Sequence, residues 1–189
     1  MHNIQVIESN KEKQKGYQKL MSKYKNAIEN GYYAEAEMIV YAFLEDRLRS
    51  LLYYLGAIKP WNRQWLVDDA AVLVGQVSSL NDMGTKTTKI ASLIKKAKSN
   101  SKSVNSNGLL ISLRNALTVE QMNELIDIMK KIDKWREFRN EITHAWFNKD
   151  LDDLNGKFKN HVIEGYDLGK RVDNYAGRLK RKAKANSDL

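Results

Sequence analysis

Apolar residues recur at helical spacing along most of the chain. The two strongest stripes run over 32–55 and 119–147, where side chains three and four positions apart fall on one helix face. Weaker stripes predict further helices over 11–30, 61–80, 90–97 and 164–182. No segment shows the strict alternation that is typical of a β-strand. The pattern therefore predicts an all-α bundle.

Turn and capping signals divide these helices. Gly31 separates the first two, and Gly56 followed by Pro60 ends the second. Thr118 and Gln121 have the spacing of a capping box at the start of the longest helix. Turns or loops are expected at 81–84, at the Ser- and Asn-rich 99–108, and at the polar 148–156. We expect a single domain (1–189) of about five to seven helices, with its core at about 32–182 and a flexible basic tail at 183–189.

Composition narrows the class of protein. The chain has 189 residues, of which 42% are hydrophobic and 29% charged, as in one soluble globular domain. It contains no apolar run of membrane-spanning length and no signal-peptide pattern at its start, so we expect a cytoplasmic protein without a membrane partner. Cysteine is absent and the three histidines are far apart, so no metal site and no cofactor is expected.

Charge points to a polyanionic partner. The net charge is +9, and the basic residues are concentrated at 86–102 and 170–184. Two basic segments of this kind favour nucleic acid as a partner, although a lysine-rich solvated surface is the alternative.

One arginine breaks the strongest stripe. Arg139 falls in the middle of the apolar face of the 119–147 helix, where an unpaired charge would be severely destabilising. This helix face must therefore line a cleft or contact a partner chain, or Arg139 must pair with a buried acidic residue. Glu37 interrupts the 32–55 stripe in the same way and is a candidate partner for Arg139.

A histidine follows five residues after this arginine. His144 lies about 140° around an ideal helix from Arg139. The two side chains can reach one spot only through the arginine's length, a local distortion of the helix, or a second subunit. A two-fold dimer would bring two copies of the motif into one cleft.

The run Arg139-Asn140-x-x-x-His144, placed late in an all-α chain, resembles the signature of the HEPN superfamily. The resemblance implies a dimeric helical bundle and a metal-independent endoribonuclease of a toxin–antitoxin or phage-defence system, with an antitoxin protein as a possible partner. His144 would act as general base or acid, Arg139 would stabilise the charged transition state, and Asn140 would orient the histidine or bind phosphate.

The same resemblance assigns RNA as the substrate, cleaved by attack of its own 2′-hydroxyl to give a 2′,3′-cyclic phosphate. Basic side chains of the two segments would hold the RNA backbone: Lys95, Lys96, Lys98, Arg178, Lys180 and Arg181. Two other functions stay open. One is a non-catalytic dimeric module that binds nucleic acid or a protein, and the other is a structural or regulatory protein whose dimer interface is its purpose.

Overall fold

A computed structural model describes the backbone of residues 10–59, 65–76, 79–99, 107–145 and 151–187. Side chains at 10, 11, 13, 142–145, 151–155 and 183–187 lie outside this description. The described residues form seven helices and no strand element, which confirms the all-α class. The helices are α1 Asn10–Glu29, α2 Tyr33–Tyr54, α3 Asp68–Val74, α4 Met83–Lys98, α5 Gly108–Ala116, α6 Val119–Ala145 and α7 Leu151–Ser187. None of them is both long and apolar enough to cross a membrane.

Local signals mark two helix ends as predicted. At the start of α6, the backbone N–H of Thr118 donates to the Gln121 side chain at 3.0 Å, and the N–H of Gln121 donates to the Thr118 hydroxyl. After α2, Gly56 has a φ of +78° and its N–H donates to the Tyr53 carbonyl. The next N–H, of Ala57, donates to Leu52, which completes a Schellman motif.

The predicted helix over 61–80 is wrong. Only Asp68–Val74 is helical, and residues 60–64 and 77–78 lie outside the described residues. The N–H of Val67 donates to the Ala57 carbonyl, which holds the chain extended just before α3. Gly75 has a φ of +78°, which ends the helix after two turns.

Two helices differ from the prediction in the middle of the chain. α4 begins at Met83, earlier than the predicted 90–97, because the Asp82 carboxylate accepts a hydrogen bond from the Thr85 N–H at 2.6 Å and caps the helix. α5 was not predicted at all. It is a nine-residue helix that the Asn107 side chain caps, and it buries only Leu110 and Leu113.

α7 is twice as long as the predicted 164–182 helix. It begins at Leu151, so the expected break at 148–156 is wrong for 151–156, and it continues through Ser187 into the predicted tail. Polar residues do not by themselves interrupt a helix, and the one glycine in this stretch, Gly156, costs only about 1 kcal/mol relative to alanine.

The core forms where α2 and α7 pack side by side in the same direction. Glu37 lies against His161, and Arg47 pairs with Asp173 ten residues further along α2. A glycine of α7 allows this approach, because a Cβ on Gly169 would lie 2.5 Å from the Phe43 ring. α6 runs antiparallel to α7 beside them, with the Trp135 indole N–H donating to the His161 carbonyl at 2.8 Å.

The first helix also joins the core. Tyr24 and Ala27 of α1 are buried, and the Tyr24 ring stacks on Tyr166 of α7 with centroids 4.5 Å apart. α1 therefore covers the outer side of the α2–α7 pair.

The glycines of α7 give a direct test of this packing. Gly169→Ala should destabilise the fold by about 1–3 kcal/mol, because its methyl group overlaps Phe43 in a filled core. Gly156→Ala is the matched control on the same helix, since nothing lies within 4 Å of its added Cβ. It should stabilise by about 0.4–1 kcal/mol through the unfolded chain. Urea unfolding measures both, and equal effects would contradict the close approach.

Candidate functional site

Arg139 lies half-buried where α6 faces α2. Its guanidinium carbon sits over the ring of Tyr41, 4.6 Å from the centroid. Burial is the main reason that the pKa of the Tyr41 phenol is raised; Glu45 raises it further, while Arg139 and Arg136 oppose the shift. Tyr41 is thus an uncharged aromatic surface at neutral pH, and an arginine gains cation–π attraction there. The apolar stripe of α6 is therefore interrupted at Arg139 by a polar junction, where polar and charged side chains of α2 and α6 meet.

The other two motif residues follow on the same helix. Asn140 is exposed to solvent. His144 belongs to α6 by its backbone, and its side chain lies outside the described residues. α6 is continuous α-helix through Ala145, so the angle of about 140° between positions 139 and 144 is kept. A distorted helix therefore does not bring the Arg139 and His144 side chains together. The length of the arginine side chain and a second subunit are the two explanations left.

A shallow cleft of about 340 Å³ lies one turn before Arg139, between α6 and the start of α4. Arg136 forms one wall, and its Nη2 donates to Asp133 at 3.0 Å. Gly84 forms the other wall: an added Cβ would lie 3.1 Å from the Arg136 guanidinium carbon. The hydroxyls of Thr85 and Thr88 also line the cleft. Arg136 and Arg139 together present two permanent cations on the same side of α6.

A buried ion pair between Lys86 of α4 and Glu45 of α2 lies next to the polar junction around Arg139. Lys86 is 0% exposed, and its Nζ donates to Glu45 at 2.7 Å and to the Asn81 carbonyl at 3.0 Å. Burial lowers the pKa of Lys86, although the Glu45 carboxylate opposes that shift. Lys86 stood in the basic segment that we expected to face a polyanion. That expectation is wrong for this residue, which anchors the start of α4 to α2.

Glu37 does not serve as the partner of Arg139. Its Oε1 lies 3.4 Å from Nε2 of His161, and both residues are buried, at 5% and 4% exposure. The His161 ring stacks on Trp135 at 4.7 Å, and the edge of Phe138 meets it from the other side. Glu37 is therefore paired with His161 and not, as predicted, with Arg139. The His161 ring packs against Trp135, which lies one helical turn before Arg139 on α6.

The predicted RNA-binding residues are exposed but fall in different places. Lys95, Lys96 and Lys98 lie at the end of α4, where Lys98 donates to Asn123 near the start of α6. From Asn123 to Arg139 is sixteen residues, or about 24 Å along the helix. The lysines and the motif are therefore well separated within one chain.

The basic residues of α7 divide between two faces. The Arg178 guanidinium lies over the ring of Tyr175, whose hydroxyl donates to Glu124 of α6. Lys180 and Arg181 instead line a groove between α7 and α2.

α5 brings the two basic segments to one end of the bundle. Arg114 donates to the carbonyls of Ala97 and Ser99 at the end of α4. Lys182 of α7 donates to the Ala116 carbonyl at the end of α5, at 2.9 Å. Segments about 85 residues apart in sequence thus meet where α4, α5 and α7 end, and each cation satisfies carbonyls that a helix end leaves open.

Within the described ranges, no three His, Asp or Glu side chains gather in a way that could hold a metal ion. Comparison with protein-family models, with curated proteins and with solved structures gave no match to this chain.

Sequence reasoning missed the partners of these polar residues, although a signal was present for two of them. Lys86 occupies the same stripe of α4 as Met83, Ile90 and Leu93, and His161 the stripe of α7 with Phe158 and Val162. A charge within a stripe marks burial, as it did for Glu37. Which group it meets depends on another helix, and no spacing within one helix reveals that.

A double-mutant cycle tests the role assigned to Lys86. Lys86→Met should cost about 3 kcal/mol, because it removes the cation that lies 2.7 Å from the Glu45 carboxylate and leaves only Arg49, at 3.8 Å. Adding Glu45→Gln should recover about 1 kcal/mol or more, so that the two effects are not additive. Urea unfolding gives the free energies. Lys95→Gln/Lys96→Gln is the control and should stay within about 0.5 kcal/mol of wild type. Additivity of the first pair would refute the buried ion pair.

Proposed function

We propose that this chain is a HEPN-type, metal-independent endoribonuclease in which Arg139 and His144 carry the chemistry. The observation that carries the proposal is the position of Arg139. An arginine in the apolar stripe of α6 lies at the surface of a polar junction, stacked on Tyr41 with Arg136 one turn away.

The chemistry needs one cation and one proton-transfer group. The RNA 2′-oxygen attacks the phosphorus, the 5′-oxygen leaves, and the product carries a 2′,3′-cyclic phosphate. His144 removes the proton from the 2′-hydroxyl or supplies one to the leaving oxygen, which contributes about 10²–10⁴ in rate. Tyr41 holds the Arg139 guanidinium by its face, and the hydrogen-bond donors of a guanidinium lie in its plane, suited to phosphate oxygens. Asn140 orients the histidine or binds phosphate.

A two-fold dimer completes this site. Because α6 is continuous through Ala145, Arg139 and His144 point in different directions from one helix. A second copy supplies the missing partner across the axis, so that the histidine of one protomer meets the arginine of the other. The resemblance to HEPN proteins also supports a toxin–antitoxin or phage-defence role in the cytoplasm, with an antitoxin protein as a partner.

A non-catalytic RNA-binding module is the second candidate. The separation of about 24 Å between the α4 lysines and Arg139 favours it, because binding then has a surface of its own. In that case the chain binds RNA through its basic end without cleaving it.

Cleavage of a labelled single-stranded RNA in excess EDTA tests the first candidate. Wild type should produce cyclic-phosphate ends, and His144→Ala and Arg139→Ala should each lose about 10²-fold or more in rate, since each removes one part of the transition-state stabilisation. Tyr41→Phe should keep most activity because it keeps the ring under Arg139. Lys131→Ala is the control: Lys131 is half-exposed on α6 and paired with Asp127. A folded wild type that leaves several RNAs intact would overturn the ribonuclease proposal.

RNAs of two lengths distinguish the surface formed by the α4 lysines from the site at the Arg139 motif. Lys95→Gln/Lys96→Gln should weaken binding of a 2′-O-methyl 20-mer and reduce its slope of log K against log salt by about 1.4, or about 0.7 for each lost phosphate contact. A distance of about 24 Å corresponds to roughly seven stacked nucleotides at about 3.4 Å each. Cleavage of a four-nucleotide RNA should therefore be unchanged in this variant. An equal loss for both lengths would argue that the lysines and the motif share one site.

A further inference from the structure

The second halves of α2 and α7 enclose a groove of about 420 Å³. It lies on the side of α2 away from the motif, since its α2 residues are about 120° or more around that helix from Tyr41. Its polar lining comes from three residues of α2 and four of α7: Arg47, Ser50, Tyr54, Asp173, Asn174, Lys180 and Arg181.

The parallel packing of the two helices creates this groove. Positions 47, 50 and 54 share one face of α2, and 174, 177 and 181 share one face of α7. Gly177 has no side chain to fill the space between them, and the Arg181 guanidinium lies 3.6 Å from where its Cβ would be. The groove is therefore open because a glycine occupies its floor.

Positive charge dominates the lining. Arg47 is oriented by Asp173, to which its Nη1 donates at 2.6 Å, and by Asp46. Burial disfavours its charged form, but the hydrogen bonds to these two carboxylates outweigh that effect and raise the pKa of Arg47. Its Nε is buried and has no hydrogen-bond partner within the described part of the chain. Lys180 and Arg181 are exposed and have no acidic partner there.

We propose that this groove is a binding site for a phosphate group. Two guanidiniums, one ammonium, the Ser50 hydroxyl and the Asn174 amide offer more donors than one carboxylate accepts. A tetrahedral, multiply charged anion accepts hydrogen bonds from several directions at once. The lining carries three cations and the carboxylate of Asp173, and Asp46 next to the lining also pairs with Arg47, so one net positive charge remains to attract anions.

The phosphate can belong to a nucleotide or to the backbone of a nucleic acid. Tyr54 stands at the groove, and the ring of its neighbour Tyr53 packs against it edge-on at 5.0 Å. Aromatic side chains next to a cationic groove are a common setting for a base attached to a bound phosphate. The site goes beyond the cleavage proposed above, because none of its residues belongs to the Arg139 motif.

Titration with inorganic phosphate at constant ionic strength tests the site, with amide NMR shifts as the readout. Wild type should show saturable shifts at Ser50 and Asn174. Lys180→Gln/Arg181→Gln should raise the Kd about tenfold or more, because charge-assisted hydrogen bonds are lost. Lys95→Gln/Lys96→Gln removes the same charge at the end of α4 and should leave the Kd unchanged. Shifts that do not saturate, or that change equally in both variants, would overturn the proposal.

Ser50 supplies a second test that leaves the cations in place. Ser50→Asp adds a negative charge to the wall and should abolish saturable phosphate binding, while Ser50→Ala should weaken it only slightly. Unaltered binding in Ser50→Asp would place the phosphate elsewhere and refute the site.

Two ligands distinguish the source of the phosphate. Adenosine 5′-monophosphate offers a terminal phosphate, and a 2′-O-methyl oligonucleotide without terminal phosphates offers only the backbone. Binding of either one that depends on Lys180 and Arg181 supports the site and identifies its ligand class. If both bind independently of these residues, the groove is not a phosphate site. Neither ligand has an internucleotide bond next to a free 2′-hydroxyl, so the result does not depend on ribonuclease activity.

Discussion

The rest of the structure depends on the close parallel packing of α2 and α7. Gly169 makes it possible, because a Cβ there would lie 2.5 Å from Phe43 of α2, and Gly165 allows the approach of α6, because a Cβ there would lie 2.6 Å from Trp135. The register that follows sets His161 against Glu37 and Asp173 against Arg47. One helix pair therefore determines a buried polar contact at one end and an open cationic groove at the other. Interiors are packed densely enough that a single methyl group is felt at such a contact.

Four ionisable side chains interrupt the apolar stripes, and the fold accommodates them by three kinds of contact. Lys86 meets a carboxylate and two carbonyls, and Glu37 and His161 meet each other. Arg139 lies on an aromatic ring at a junction that opens to a cleft. Lys86 is fully buried and donates hydrogen bonds to its carboxylate and carbonyl partners, whereas the half-buried guanidinium of Arg139 also gains attraction from the face of the Tyr41 ring.

The positive charge of the chain is divided among three surfaces. The α4 lysines stand about 24 Å from the motif, Arg178 faces α6, and Lys180 and Arg181 line the α2–α7 groove. Under the proposed functions, chemistry, backbone attraction and specific phosphate binding therefore rest on separate residues. Salt screens attraction over about 8–10 Å, so the α4 lysines and the motif, about 24 Å apart, should respond to ionic strength independently.

The sequence alone was enough to predict the features that depend on residues close to one another along the chain. The stripes of α2 and α6, the capping box at Thr118 and the cap at Gly56 are contacts within about one helical turn, and all appear in the structure. The stripe also marked Arg139 and Glu37 as misplaced charges. Tertiary structure decided what needs a second element: the extended chain before the short α3, the burial of Lys86, and the choice of His161 as the partner of Glu37. Helical periodicity fixes the direction in which a side chain leaves its own helix, and only packing brings a second helix to meet it.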